Sequence, residues 1–378
     1  MVMSTNDGIG PSQRIARLTP LADVLARIDA RVEPVTARSL ETVAALGRVL
    51  AGDVVIPAPI PAAALALRDG WAVQSDLTTD AGPYAPAPLA SAVRVDVGEP
   101  LPSGADAVAP LDAVIIRDGS AQALAPVGPG EGVLPTGGDG AAGAVLVQAG
   151  RRLGCLEIAL LAAAGIKAVR IREPRLHLVR ARPERNVTID EAIECTADAI
   201  TSGGGVAIVS APNAGLEQAL RDPSADAVVV VGGTGGGRRD AAVRTLAAAG
   251  ELHAHGIALV PGETAAFASV GARPVLALPG RLDAALSVWL VIGRRLLARL
   301  TGSAEQEPAH QARLARKLAS PLGLAEVVPV RLRDGAAEPI ASGYLPLSAL
   351  AQADGWVLVP ADSEGYPPGA EVMVRAWP

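Results

Sequence analysis

Residues 225–240, reading Ala-Asp-Ala-Val-Val-Val-Val-Gly-Gly-Thr-Gly-Gly-Gly-Arg-Arg-Asp, constrain the fold more than any other part of the chain. Four consecutive valines read as a strand buried on both faces, the kind found inside a parallel sheet. Glycines follow at once, so the backbone there can take positive φ and approach a ligand closely. After Asp240, residues 241–249 are a strong helix-forming run that stops at Gly250. Strand, glycine loop and helix N-terminus in succession is the arrangement in which α/β folds bind phosphate-bearing ligands. The plain alternative is a tight turn between strand and helix with no ligand. The loop is not a P-loop, because no Gly-Lys-Ser/Thr follows. It is also a poor dinucleotide fingerprint, since Arg238 stands where the third glycine belongs.

A chain of 378 residues has room for two or more domains. Half of it is hydrophobic but only 2% is aromatic, so its cores must be built from Ala, Val, Leu and Ile. The net charge of -6, with acidic and basic residues mixed throughout, argues against nucleic acid or an anionic membrane as partner. Cys155 and Cys195 are too few for a disulfide framework or a cysteine metal site, which fits a reducing compartment. Residues 1–14 carry no apolar run of the signal-peptide kind, and the longest apolar run, near 284–292, is far shorter than a membrane span. A cytoplasmic protein is expected.

In chain order, residues 1–16 are polar and read as disordered. Thr19-Pro20 reads as a helix start, a capping hydroxyl before a proline at the first helical position, with Leu21, Val24, Leu25 and Ile28 at helical spacing. A second helix is expected from about Ala37 to Ala51. From Val54 to about Val147, prolines, glycines and short β-branched runs alternate, which reads as a β-rich subdomain. Leu153–Ala164 returns to helix, ended by Gly165, and Ala168–Ile171 reads as a strand. Residues 173–302 alternate strand and helix: Arg175–Val179, Thr188–Thr201, Val206–Val209, Leu216–Leu220, the valine strand with its helix, Pro274–Leu278, and a long helix over Asp283–Leu300. That alternation predicts a parallel sheet covered on both sides. The expected division is a helical and linking part at 17–53 and 148–172, a β-rich subdomain at 54–147, an α/β domain at 173–302 and a C-terminal β subdomain at 303–378.

Several phrases in order resemble one family. They are Leu-Gly-Arg-Val-Leu-Ala at 46–51, Arg-Asp-Gly-Trp-Ala-Val at 68–73, and Gly-Glu-Pro-Leu-Pro-Ser-Gly-Ala-Asp-Ala-Val at 98–108. Then come Leu-Ala-Ala-Ala-Gly-Ile at 161–166, the glycine loop ending in Asp240, Pro261-Gly262, Leu278-Pro279-Gly280, and a tail from Gly343 through Leu350 to Gly-Ala-Glu-Val at 369–372. Each is weak alone, but their order and spacing are specific, from about Pro20 to Val374. The chain resembles the molybdopterin molybdenumtransferase family, the bacterial MoeA proteins and the E domain of gephyrin. The resemblance implies an elongated, multidomain α/β homodimer, with a parallel-sheet molybdopterin-binding domain and β-rich subdomains. It implies insertion of molybdate into adenylated molybdopterin, with Mg²⁺ and release of AMP. Other proteins of cofactor biosynthesis, or a molybdoenzyme, are then possible partners.

On the same grounds Asp69, Glu184 and Asp240 are the candidate catalytic and Mg²⁺-ligating residues, since a hard cation takes oxygen ligands. Gly232, Gly233, Gly235, Gly237, Arg238, Pro279, Gly280 and Arg281 are the candidate residues for molybdopterin, adenylated or not. Each acid has a plain alternative: Asp69 as a turn residue, Glu184 as a surface charge, Asp240 as a helix cap. The chain also departs from the family. Val97 stands in place of threonine, Pro183 of aspartate, Gly235 of serine, and Glu263-Thr264 of Lys-Pro. Arg281-Leu282 replaces Asn-Pro, and the stretch between Glu184 and Gly232 is shortened. A unit charge about 4 Å from a phosphate oxygen is worth ~4 kcal/mol at an effective dielectric near 20, so lysine to glutamate at position 263 counts heavily. Arg68, Arg238, Arg239 and Arg281 are the charges that would offset it. Three readings follow: a relative with weakened or lost catalysis that still binds ligand or partner, a fully active divergent transferase, and an unrelated nucleotide-binding α/β enzyme.

Overall fold

The computed structural model describes residues 13–211, 213–305 and 307–378. They form two compact units. One takes the chain up to Gly52 with Ala149–Cys155 and Ala168–Pro378; the other takes Asp53–Gln148 and Leu156–Lys167.

The first unit begins with helix α1 (Leu21–Arg31), which buries Leu21, Val24 and Ile28 along one face. Thr19 is not its cap. Its backbone instead forms a parallel bridge with Ile257, donating to the Gly256 carbonyl and accepting from Ala258, both at 2.8 Å, and Pro20 takes the N-cap position. The helix expected over 37–51 is absent. Arg38–Glu41 is a strand paired antiparallel with Ala168–Arg172, Thr42–Ala45 is a 3-10 turn, and Gly47 turns the chain at φ +78° into a short strand at Val49–Leu50. Alanine-rich composition favours helix only weakly, and pairing with a strand far along the chain overrides it. Helix α2 (Cys155–Ala163) bridges the two units in sequence and is followed by Gly165 at φ +72°.

Next comes the main sheet, whose strands are β1 (Arg175–Arg180), β2 (Val206–Val209), β3 (Ala227–Val231), β4 (Glu251–His255), β5 (Ala266–Val270) and β6 (Arg273–Leu278). Their spatial order is β2-β1-β3-β6-β5-β4. The first four run parallel, and β5 and β4 add an antiparallel edge. Helices α3 (Val187–Ser202), α4 (Leu216–Arg221), α5 (Ala242–Ala249), α6 (Leu282–Val288) and α7 (Arg294–Thr301) cover it.

The uninterrupted apolar run of β3 now has a cause. Ala227, Val229 and Val231 pack with Val24, Ile28, Ile193 and Trp289 on one face of the sheet. Val228 and Val230 pack with Leu216, Leu220, Val243 and Leu246 on the other. Every residue of the strand is fully buried, so neither parity can be polar. The long helix expected at 283–300 is there with one change: Trp289–Gly293 forms a π-helical turn between α6 and α7. A Cβ on Gly293 would lie 2.2 Å from the Trp289 ring, so glycine is what lets this indole fold back onto the helix.

The C-terminal strands close on themselves. Ala325–Arg333, Ala336–Pro339, Ala309–Leu314, Glu371–Ala376 and Gly355–Val359 pair in that order, and the last pairs again with the first. Two of the seams are short, with two residue pairs each between Gly355–Val359 and Glu371–Ala376 and between Ala309–Leu314 and Ala336–Pro339. In the second unit the strands are short. Gly70–Val73 pairs with Val93–Val95 and Ala107–Pro110, and a second three-stranded sheet joins Ala87–Leu89, Ser120–Ala123 and Val114–Arg117. Their cores are small and rich in alanine and valine.

Candidate functional site

In the sheet order, β1 lies between β2 and β3, so the chain leaves β1 toward one side and returns to the other. The crevice outside the carboxyl ends of β1 and β3 is the switch point at which open α/β sheets bind ligands. Because β1, β3 and β6 are parallel, the loops that follow them leave the same edge. These loops touch. Gly232 N–H donates to the Leu278 carbonyl at 2.9 Å, a Cβ on Gly233 would lie 2.8 Å from Ala181 Cβ, and one on Gly280 would lie 3.4 Å from Gly232 Cα. Gly232 and Gly233 also hold φ of +89° and +66°, which L side chains rarely adopt. Gly235 does not have a positive φ; its Cβ position faces Asp240 Oδ2 at 2.9 Å.

The glycine loop is tied from within and from a distance. Asp240 Oδ2 accepts Gly237 N–H at 3.1 Å, and Asp240 N–H donates to Gly237 O at 3.0 Å, which closes a turn. Asp240 is therefore a loop clasp rather than a helix cap: Ala241 holds the N-cap of α5 with no side-chain bond. Thr234 is buried, its hydroxyl 3.0 Å from that of Thr264, and its carbonyl accepts from His255 Nε2 at 2.9 Å. Gln13, part of the segment expected to be disordered, is buried here. Its Nε2 donates to the carbonyls of Gly233 at 2.6 Å and Gly235 at 2.8 Å, and its Oε1 accepts Arg244 N–H at 3.3 Å. Two carbonyls that would repel an anion are thus engaged by an amide. The rest of that expectation, residues 1–12, lies outside the described residues.

Charge around the crevice is mixed and largely paired. Arg180, at the end of β1, donates to Asp190 in the first turn of α3 at 2.5 Å, while Asn186 Oδ1 caps that helix on Thr188 and Ile189. Glu184 is exposed and lies 3.7 Å from Arg239 and 4.0 Å from Arg182, so it links the loops after β1 and β3. Arg238 is exposed and Pro279 is buried. Arg281 is forked onto buried Asp283 and stands over the Tyr344 ring at 4.7 Å; hydrogen bonding to Asp283 holds its pKa above the ordinary value. Glu263 neighbours Thr264, which meets the loop at Thr234, and its carboxylate turns back to accept Gly262 N–H at 2.9 Å.

Asp69 belongs to the second unit, where its Oδ1 accepts Val97 N–H at 2.8 Å. Beside it, Arg68 donates to the Val108 carbonyl and to Glu131, both at 2.8 Å, so its charge is used inside that unit. Among the described residues, no group of three or more His, Cys, Asp or Glu side chains is arranged to hold a metal. Mg²⁺ requires oxygen ligands in near-octahedral geometry at about 2.0–2.1 Å. Glu184 faces two guanidinium groups and Asp240 gives one oxygen to its own loop, so these two acids do not by themselves make such a cage; Asp69, in the other unit, gives one oxygen to Val97 N–H.

Known families match this chain in consecutive blocks. Residues 19–165 match the MoeA N-terminal region, domains I and II, and residues 311–377 match the MoeA C-terminal region, domain IV. Between them, residues 204–299, which carry the glycine loop, match the family described as "Probable molybdopterin binding domain". The chain belongs to the MoeA family. Among relatives, molybdopterin molybdenumtransferase 1 of Mycobacterium tuberculosis is 29% identical over 75% of this chain and 73% of its own length. A Methanocaldococcus jannaschii protein named for molybdopterin biosynthesis is 26% identical, over 89% of this chain and 91% of its own. The crystal structure of the MoeA molybdopterin biosynthesis protein from Pyrococcus horikoshii superposes with a TM-score of 0.79 at 28% identity, covering 96% of this chain and all of that one.

Sequence reasoning missed Gln13, His255 and Asp190, and named Thr264 only as a departure from the family. None of the three belongs to a local pattern: Gln13 is 220 positions from Gly233, and the others matter only through contacts that the sheet creates.

Proposed function

We propose that this MoeA-family chain acts in molybdenum cofactor biosynthesis as a molybdopterin-binding protein with weakened molybdate insertion. The observation that carries the reading is the glycine loop at the switch point, with Gly232 and Gly233 at positive φ and two loop carbonyls withdrawn onto Gln13. The phosphate end of molybdopterin, or the diphosphate of its adenylated form, sits against the loop amides and the N-terminus of α5, which carries roughly half a positive charge. Arg238 supplies a further charge-assisted contact.

Weakened turnover is supported by the acidic residues. Glu184 is paired with arginines, Asp240 clasps its own loop, and Glu263 places a negative charge beside the loop where the family places lysine. The chain's own residues bind and orient the anion, and molybdate is a substrate. Free thiols at Cys155 and Cys195 agree with a cytoplasmic setting, and among the described residues no helix is long and apolar enough to cross a membrane. A homodimer that hands its ligand to another cofactor-biosynthesis protein or a molybdoenzyme completes the reading. Expression in cells lacking their own molybdenumtransferase tests it. Rescue of molybdoenzyme activity is expected to be at most about a hundredth of that given by an active family member, matching removal of one stabilising contact or more from the transition state. Full rescue at normal expression would overturn the loss of turnover.

A further inference from the structure

A second constellation lies away from the glycine loop, on the edge of the main sheet. Ser210 follows the last residue of β2, and its backbone N–H donates to the Leu178 carbonyl at 2.9 Å. This places its hydroxyl beside His177 of β1, with Oγ 2.7 Å from Nε2. On the far side of the ring, Nδ1 lies 3.4 Å from Asp222 Oδ2, just past the end of α4. Both Ser210 and His177 are more than nine-tenths buried, and buried Nδ1 has no hydrogen-bond partner within normal geometry. The trio lines a cavity of about 480 Å³, whose other walls include Val209, Ala214, Gln218 and Arg221.

We infer that Ser210, His177 and Asp222 form a nucleophile, base and orienting acid that act on small carboxylic esters, an activity separate from molybdenum chemistry. Ser210 Oγ–H can donate to Nε2 only in the tautomer that carries its proton on Nδ1, and the Asp222 carboxylate faces that nitrogen and favours this tautomer. Burial lowers the His177 pKa, Asp222 opposes that, and the Arg273 cation lowers it further, so the imidazole is neutral and free to accept a proton near pH 7. Arg273 itself is anchored on the Leu220 and Asp222 carbonyls. The 3.4 Å separation is the loose geometry common before a substrate closes a site.

The step balances. Oγ attacks the acyl carbon and its proton passes to His177 Nε2. The carbon–oxygen bond to the leaving alcohol breaks, and Nε2 returns the proton to that oxygen. Water, activated by the same nitrogen, then releases the acid and restores Ser210. The apolar wall of Val209 and Ala214 suits an acyl group of acetyl size.

The same sheet holds a control. His253 Nε2 is 2.9 Å from Ser269 Oγ, and its Nδ1 is 3.3 Å from Glu251. There, however, Glu251 is also held by Arg31 at 3.2 Å, which competes for the acid that would orient the ring.

The test uses the full-length chain, a fluorophosphonate probe and p-nitrophenyl acetate, with adducts mapped by peptide mass spectrometry. One phosphonyl group is expected on Ser210 of the wild type. Ser210→Ala should lose both the adduct and ester hydrolysis while keeping its circular dichroism spectrum. His177→Asn should slow labelling at least ~100-fold, the usual contribution of a general base. Ser269→Ala should label at the wild-type rate. If His177→Asn fails to fold, Ser210→Ala and the mapped wild-type adduct still decide. Absence of a Ser210 adduct on folded wild type, unchanged labelling in Ser210→Ala, or an adduct on Ser269 would each overturn the assignment. None of these outcomes bears on molybdopterin binding.

Discussion

Gly233 and Gly235 stand one residue apart in the same loop, on either side of Thr234, yet their roles differ. Gly233 is fixed by positive φ and by Ala181, whereas Gly235 is fixed only by the Asp240 carboxylate that a side chain would displace. Gly235→Val should therefore weaken AMP or molybdopterin binding about tenfold, ~1.4 kcal/mol, by pushing Asp240 off the Gly237 amide. Glu263→Lys should do the reverse, tightening the same ligand by about tenfold once the Coulombic gain is screened. Calorimetry with both variants checks the pair, and a shift of the same sign in each would contradict it. Gln13→Ala removes two bonds to loop carbonyls and one from Arg244, worth about 1 kcal/mol each. Faster hydrogen exchange across 232–241 is the expected sign, and unchanged exchange would show that the loop holds itself. The glycines were legible in sequence because their need is local. Gln13 was not, because its partners are brought to it by the fold.

Among the elements, β3 was readable as a central strand because burial on both faces leaves a compositional mark. The helices on either side of the sheet carried equally local marks, in their spacing and stop residues. Residues 38–50 misled, since alanine and leucine suit a helix while the real determinant is an antiparallel partner at Ala168–Arg172. The π-helical turn at Trp289–Gly293 was also invisible, because it rests on one ring packing against one missing Cβ. Gly293→Ala should test that account. A methyl group 2.2 Å from the Trp289 ring overpacks the core, at a cost of about 1–3 kcal/mol. A matching fall in urea midpoint is expected, and a neutral substitution would show that the turn relaxes freely.

Across the whole molecule, family membership is carried by the order of the motifs along the chain. What could not be read was how each charge is spent: Arg68 inside its own unit, Arg281 on Asp283, Arg239 on Glu184. Pairing of this kind depends on three-dimensional neighbours and decides whether a cation is available to a ligand. The proposed homodimer is checked by sedimentation velocity at micromolar concentration, where a dimer is expected and a monomer would remove the assembly from the account. The central claim is that the switch-point loop still binds molybdopterin. Titration of molybdopterin, kept anaerobic, into the full-length protein and into Gly233→Val tests it most directly. Saturable binding by the wild type, weakened at least tenfold in a variant whose circular dichroism is unchanged, is the expected result; no binding by the wild type, or equal binding by both, would contradict it.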